Sequence, residues 1–193
     1  MDPIQVLVIV VALVILAAVG YVIVSRNRTR ELKGSFGPEY ERTVGKEGDP
    51  RKAERELGAR QKRVASLEIR TLEPQERSHY ASEWKNVQAR FVDDPGRATE
   101  DGDVLVREVM QKRGYPVGDF EQQAADISVK HPAVVEHYRK AHEIAERNGR
   151  EPVSTEELRT ALVHYRALFA DLLDLGVEPN DDAPREGERP SRR

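Results

Sequence analysis

The 193-residue chain contains no cysteine, which excludes disulfides, thiolate metal sites and cysteine nucleophiles. Aromatic residues are scarce as well, at 6% of the chain, whereas charged residues make up 34%. The sequence also lacks a GxSxG nucleophile elbow, a Walker phosphate loop and a GxGxxG dinucleotide motif. We therefore expect one modest, highly polar domain outside the apolar amino-terminal segment.

The large excess of positive charge that is typical of nucleic-acid-binding proteins is also missing. The net charge is −3, and it changes sign along the chain. Residues 25–70 carry 13 Lys or Arg against 8 Asp or Glu, whereas residues 71–193 carry 18 against 25. We therefore expect no nucleic-acid partner, a basic segment close to the apolar run, and an acidic remainder.

An uncharged run of 21 residues extends from Ile4 to Val24. At a rise of about 1.5 Å per residue, this length spans a hydrocarbon core of about 30 Å. A secretory signal peptide has a basic start, a shorter apolar core and a small-residue cleavage site. This run has none of these features, since it follows MDP and ends on the bulky sequence YVIV. We expect a retained signal anchor, in contact with the lipid bilayer through residues 4–24.

Four basic residues follow the run directly: Arg26, Arg28, Arg30 and Lys33. Because cytoplasmic flanks of membrane spans are enriched in Lys and Arg, these residues predict the topology. We expect a single-pass protein of the cell (inner) membrane, with its amino terminus outside and its soluble part in the cytoplasm. The basic segment either only sets this topology or also lies along an anionic inner leaflet.

Helical periodicity and capping signals predict an all-α fold, with one N-terminal transmembrane helix followed by a small bundle of about five or six helices. The strongest stripe recurs every three to four residues and comprises Leu158, Leu162, Tyr165, Phe169 and Leu172. The predicted segments are an anchor with a juxtamembrane extension over 1–32, a Gly/Pro loop over 33–50, a bundle over 51–175 and a disordered tail over 176–193.

The histidines and acidic clusters do not match a known metal or catalytic pattern. His142 begins HEIAE, in which Glu146 stands where a zinc protease motif has its second histidine. Glu76 and His79 form a single Glu-x-x-His, whereas di-iron bundles need two. The acidic sequence EDGD, 100–103, lacks the remainder of a calcium loop. We therefore expect no metal, cofactor or catalytic residue.

The tripeptide HYR occurs twice, at 137–139 and 164–166. It is either a duplicated site or a coincidence of two packed helices, and the second interpretation is favoured because each tyrosine falls on an apolar stripe.

A candidate interaction surface is the loop that holds Tyr115, Pro116, Val117 and Asp119, because a rigid loop with an aromatic residue often carries binding. The alternative is that Tyr115 and Val117 fold back to close the bundle.

Four stretches resemble a family of bacterial single-span membrane proteins. They are FGPEYERTV (36–44), ARFVDDP (89–95), RGYPVGDFEQQAADISVKHP (113–132) and VVEHYRKAHEI (134–144). The resemblance implies a bacterial origin and the same layout of an anchor and a helical domain, and it assigns no functional residue.

These observations predict a membrane-tethered interaction module that recruits an unknown protein partner. The alternative is a small-ligand-binding or enzymatic helical domain that uses His and Tyr side chains in a bundle pocket, and a structural protein facing the envelope would require the opposite orientation. A pocket that collects the histidines would favour the enzymatic alternative; the candidates are His79, His137, His142 and His164.

Overall fold

The computed structural model describes residues 3–174, and regular structure in that range is entirely helical, as predicted. The eight helices of this range are α1 (Pro3–Phe36), α2 (Pro38–Glu47), α3 (Pro50–Ala65), α4 (Pro74–Arg90), α5 (Pro95–Lys112), α6 (Phe120–Lys130), α7 (Val135–Asn148) and α8 (Thr155–Leu172). Seven helices therefore follow the apolar one, against the five or six expected. The predicted tail, 176–193, lies outside the described residues.

The chain divides into two compact units, which differs from the predicted single bundle over 51–175. Within the described range, unit 1 comprises residues 3–68 and 119–135, and unit 2 comprises residues 69–118 and 136–174. In unit 1, α3 packs against α1, α2 and α6, whereas in unit 2 α5 packs against α4 and α8. The sparse apolar residues therefore build two small cores, and the segment with α6 returns to the unit that begins the chain.

Helix α1 has two parts with different surroundings. Large apolar side chains along its first part are exposed, including Ile4 (73%) and Leu16 (67%). Near its carboxyl end, Leu32 and Phe36 are buried in the core of unit 1. Among the described residues, α1 is the one helix that is long and apolar enough to cross a membrane. A single helix thus carries both the candidate span and part of a core.

The segment 33–50 differs from the predicted loop, because α2 occupies most of it. The glycines and prolines that suggested a loop instead mark helix ends. Gly37 and Gly48 have positive φ angles of 50° and 67°, which glycine adopts without steric cost. Pro38 and Pro50 begin α2 and α3, where the missing N–H would have no helical partner.

Unit 1 combines an apolar cluster with buried charge. The cluster comprises Leu32, Phe36, Tyr40 and Leu57, with Val44 and Val129 packed against it. Beside it, the Arg60 guanidinium donates to the Glu39 carboxylate at 2.9 Å, and both side chains are buried. Arg63 likewise pairs with the buried Asp126 of α6. These pairs join α3 to α2 and α6, so the basic helix predicted from 51 onward packs as a core element.

Unit 2 is built on the predicted stripe of α8. All five of its apolar positions are buried: Leu158, Leu162, Tyr165, Phe169 and Leu172. The Phe169 ring stacks on Trp84 of α4 with a centroid distance of 4.7 Å. Helix α5 approaches α8 closely at Gly102, where an added Cβ would lie 3.1 Å from Leu162 Cδ1. The acidic EDGD sequence is therefore a helical packing site.

The capping signals mark several helix starts correctly. Ser154 and Glu157 form the predicted capping box at the start of α8. Asp94 accepts a hydrogen bond from the Arg97 backbone N–H at 3.0 Å and caps α5. Helix α7 begins at Val135, after His131 ends α6 by donating its backbone N–H to the Ile127 carbonyl at 2.8 Å.

Candidate functional site

The predicted interaction loop contributes less surface than its sequence suggests. Tyr115 is only 2% exposed and belongs to the core of unit 2, and its backbone N–H donates to the Met110 carbonyl. Asp119 caps α6 by accepting from the Gln122 N–H at 3.1 Å. Pro116 and Val117 are exposed, the latter at 48%. The aromatic residue that made the loop attractive is therefore used for packing.

The four residues that predict topology lie on the carboxyl-terminal part of α1, and all are exposed. Lys33 pairs with Glu41 of α2 at 2.9 Å. The Arg28 guanidinium extends towards Gly58 of α3, whose added Cβ would lie 3.1 Å from it. This basic stretch therefore stands where the exposed apolar part of α1 meets the core of unit 1.

The two HYR tripeptides face each other across α7 and α8. The Nδ1 atoms of His137 and His164 are 2.8 Å apart, so one imidazole donates and the other accepts. Tyr138 and Tyr165 are fully buried and meet edge to face at 6.3 Å. The two HYR tripeptides therefore pack against each other between the antiparallel helices α7 and α8. This agrees with the packing interpretation.

A buried carboxylate anchors this contact from α5. The Tyr165 hydroxyl donates to Asp103 Oδ1 at 2.9 Å, and Arg107 pairs with the same carboxylate. His142 Nδ1 lies 4.0 Å from Asp103 Oδ1. Burial and the nearby Asp103 carboxylate raise the pKa of Tyr138 and Tyr165 well above the ordinary value, which keeps both phenols protonated. The arrangement links α5 to α8 through the Asp103 carboxylate.

Burial also shifts the two paired imidazoles towards their neutral forms. Burial, followed by the facing His137 ring and Lys140, lowers the pKa of His164 to about 4. The pKa of His137 is lowered by its own burial and by Lys140, and Glu136 opposes the shift. A proton added to the accepting ring would also remove the lone pair that receives the hydrogen bond.

The lowered pKa values of His137 and His164 predict that the folded protein becomes less stable as the pH falls. Between the ordinary histidine pKa of about 6.5 and a pH of about 4, the unfolded chain binds more protons than the folded chain, so acid favours unfolding. After allowance for solvent screening of these half-buried rings, the loss is about 1 kcal/mol. Thermal unfolding of the full chain in detergent, followed by Trp84 emission at pH 7.5 and pH 5, measures it. His164→Gln should reduce the acid-induced fall in the midpoint, whereas the exposed control His79→Gln should not. Equal falls in both variants and the native chain would contradict this role.

Within residues 3–174, no group of three or more His, Asp or Glu side chains is arranged to hold a metal ion. The acids of the rejected motifs have basic partners instead. Glu76 accepts from Arg70 at 2.8 Å and pairs with Lys112 at 3.2 Å, which holds the pKa of its carboxyl well below its usual range. Glu146 pairs with Arg150.

A cleft between α4 and α8 is a candidate binding surface in unit 2. Its lining comprises Gln88, Phe91, Arg159, Leu162, Val163 and Arg166. Phe91 and Leu162 are each 9% exposed and form its apolar floor, whereas Val163 is 58% exposed. The Arg159 guanidinium lies 5.6 Å from the centre of the Phe91 ring. We call this set of six residues the arginine cleft.

The arginine cleft is locally basic although unit 2 is acidic. Over 69–118 and 136–174 the sequence carries 14 Lys or Arg and 17 Asp or Glu. Arg159 is 3.4 Å from Glu156, and Arg166 forms no ion pair with any described residue. Positions 159, 163 and 166 follow the spacing of one helical face. This spacing was the sequence signal that could have indicated the cleft. It was missed because the adjacent stripe of α8 was interpreted only as core.

Comparison with protein-family models, with curated proteins and with solved structures found no match.

Proposed function

We propose that this protein is a membrane-tethered interaction module. In this proposal α1 is a retained single-pass anchor, the amino terminus lies outside, and both helical units lie in the cytoplasm. The arginine cleft of unit 2 binds an acidic, partly apolar segment of a protein partner and so holds that partner at the membrane.

The exposed first part of α1 supports the anchor. Side chains such as Ile15 (58%) and Leu16 (67%) would expose a continuous apolar surface to water, and a bilayer removes that cost. The same helix continues into the core of unit 1 at Leu32 and Phe36. Cleavage at the end of the apolar run would separate Leu32 and Phe36 from the first part of α1. A retained anchor keeps the whole helix in one piece.

The positions of the basic residues support the orientation. Arg26, Arg28 and Arg30 follow the apolar run within two turns, and all three are exposed. Positive flanks of a span are retained on the cytoplasmic side. Unit 1, which begins on this flank, would therefore be cytoplasmic.

The arginine cleft is the observation that carries the binding role. Arginine and aromatic residues are enriched at interface hot spots, and a cleft with an apolar floor allows a partner to bury side chains there. Arg166 is available for a carboxylate because no described residue occupies it. The enzymatic alternative has less support, since none of the six lining residues is a histidine and His137 and His164 are paired with each other.

Site-specific photocrosslinking in cells tests this role. A photoreactive p-benzoylphenylalanine at the position of Val163 should give a crosslinked adduct with an acidic segment of another protein. The same group at Val104, which is 46% exposed on α5, serves as the control. Reversing both charges with R159E and R166E should reduce the adduct at least about tenfold, because each reversed contact costs more than about 1 kcal/mol.

Two outcomes would contradict the role of the cleft. One is an adduct of equal yield at positions 163 and 104. The other is an adduct that is unchanged by R159E and R166E. Both arginines are exposed, so the charge reversals should leave the unfolding midpoint reported by Trp84 nearly unchanged, and that measurement separates lost binding from lost folding.

A further inference from the structure

Unit 1 places basic residues from two different helices beside the end of the apolar run. Arg26, Arg28 and Arg30 lie on α1, and Arg51, Lys52 and Arg55 lie on the first turns of α3. All six side chains are exposed. We call this set the basic collar.

One hydrogen bond fixes how close α3 lies to the end of the run. The Thr29 hydroxyl donates to Glu54 Oε1 at 2.6 Å. Thr29 is five residues beyond Val24, which corresponds to about 7.5 Å along a helix. Arg51, Lys52 and Arg55 are within one turn of Glu54 on α3. Their side chains therefore reach the level at which a span ending at Val24 would meet lipid headgroups.

The direction of the side chains strengthens this placement. Cα–Cβ bonds tilt towards the amino end of a helix, so Arg51 and Lys52 extend past the first turn of α3. On α1, the Arg28 guanidinium instead lies beside Gly58, one turn further along α3 than Glu54. Arg26 and Arg30 are one turn apart and share another side of α1. The collar thus extends around the helix and is not confined to one stripe.

Neighbouring acids offset only part of the charge of the collar. None of its six side chains forms an ion pair with a described residue. Glu54 already accepts from Thr29 at 2.6 Å and from Tyr40 at 3.2 Å, whereas Asp49 lies close enough to Lys52 and Arg55 to interact with their charges. Asp49 accepts the backbone N–H groups of Arg51 and Lys52, which holds the pKa of its carboxyl below the usual value. The collar therefore keeps a net positive charge that can attract an external anion.

We infer that the basic collar binds the phosphate groups of anionic phospholipids in the leaflet next to unit 1. This inference rests on the proposed anchor and adds a lipid preference to it. Clusters of four to eight Lys or Arg beside a membrane helix recognise anionic headgroups. Here half of the cluster comes from α3, so the preference depends on the fold of unit 1 as well as on the flank of the span.

Electron paramagnetic resonance of the full chain reconstituted in vesicles tests the inference. Chain-spin-labelled phosphatidylglycerol and phosphatidylcholine report how strongly each lipid associates with the protein. We expect a severalfold preference for phosphatidylglycerol at low salt, which 0.5 M NaCl removes because salt screens surface charge. R51Q combined with K52Q should lower the preference for phosphatidylglycerol at least about twofold. The effect at the collar itself is larger, because the measured preference is averaged over all lipids that contact the protein.

A matched pair of substitutions controls for net charge. Lys62 and Lys130 also belong to unit 1, are exposed and form no ion pair with a described residue, and they lie outside the collar. K62Q combined with K130Q should keep the preference. An absent preference, or an equal fall in both double variants, would overturn the collar while the anchor stands. A chain that immobilises neither lipid would overturn the anchor and the collar together.

Discussion

Replacing Phe169 by alanine should lower the stability of unit 2 by about 3–5 kcal/mol. The side chain is 2% exposed and lies on the buried stripe of α8. Its ring stacks on Trp84 at 4.7 Å, so the substitution removes an aromatic pair as well as apolar burial. Truncation would leave a cavity between α4 and α8, where two of the longest helices of the unit meet.

The single tryptophan of the chain makes this effect measurable in the full-length protein. Trp84 is 5% exposed in unit 2, so its emission reports the unfolding of that unit in detergent. For a unit of this size, a loss of 3–5 kcal/mol corresponds to a fall in the midpoint of more than about 10 °C. Val163→Ala on the same helix should change the midpoint little, because Val163 is 58% exposed. An unchanged midpoint for Phe169→Ala would show that α8 packs in another register.

The elements that the sequence predicted well are those with local signals. The stripe Leu158, Leu162 and Phe169 recurs at helical spacing, and all three side chains are buried. Ser154 with Glu157 marks the start of α8, because both groups act within one turn of backbone. Such interactions depend on residues three or four apart, so they can be identified without knowledge of the tertiary structure.

The elements that the sequence did not predict depend on contacts between distant segments. Gly37 and Pro38 are consistent with a loop when considered alone, whereas Tyr40 and Glu39 of α2 contact residues of α3 that are distant in sequence. The return of α6 to unit 1 rests on the pair of Arg63 with Asp126, which are 63 residues apart. No spacing rule connects positions so far apart, and the division into two units was therefore missed.

The candidate sites show the same limit. The two HYR tripeptides were visible in the sequence, but the 2.8 Å contact between His137 and His164 required the antiparallel arrangement of α7 and α8. Tyr115 was a surface candidate because it is the aromatic residue of a rigid loop, and its burial depends on neighbours elsewhere in unit 2. The arginine cleft was missed because it requires Phe91 of one helix and Arg159 of another.

Reversing the charge balance around the apolar run should invert the protein in the membrane. The proposed orientation depends on Arg26, Arg28 and Arg30. Neutralising these three residues and adding two lysines after Met1 would move the positive flank to the other end of the span. Because the Lys and Arg bias decides which flank stays in the cytoplasm, we expect most of the chains to adopt the opposite orientation. This effect is close to all-or-none, since a chain with one span has two possible orientations.

A single introduced thiol reports the side of the membrane, because the native chain has no cysteine. Val92 is 83% exposed at the end of α4, so Val92→Cys should be accessible to reagent without disturbing the core. A membrane-impermeant maleimide that adds mass to the protein distinguishes labelled from unlabelled chains on a gel. The charge-reversed variant with the same thiol is the matched control for accessibility.

The central proposal is that α1 is retained in the membrane and that unit 2 faces the cytoplasm. Labelling of Val92→Cys in intact spheroplasts tests this proposal most directly. The account predicts a full-mass protein in the membrane fraction that resists the maleimide in intact spheroplasts and reacts after lysis. The charge-reversed variant should react without lysis. Labelling of Val92→Cys in intact spheroplasts, or its recovery as a shortened protein in the soluble fraction, would contradict the account.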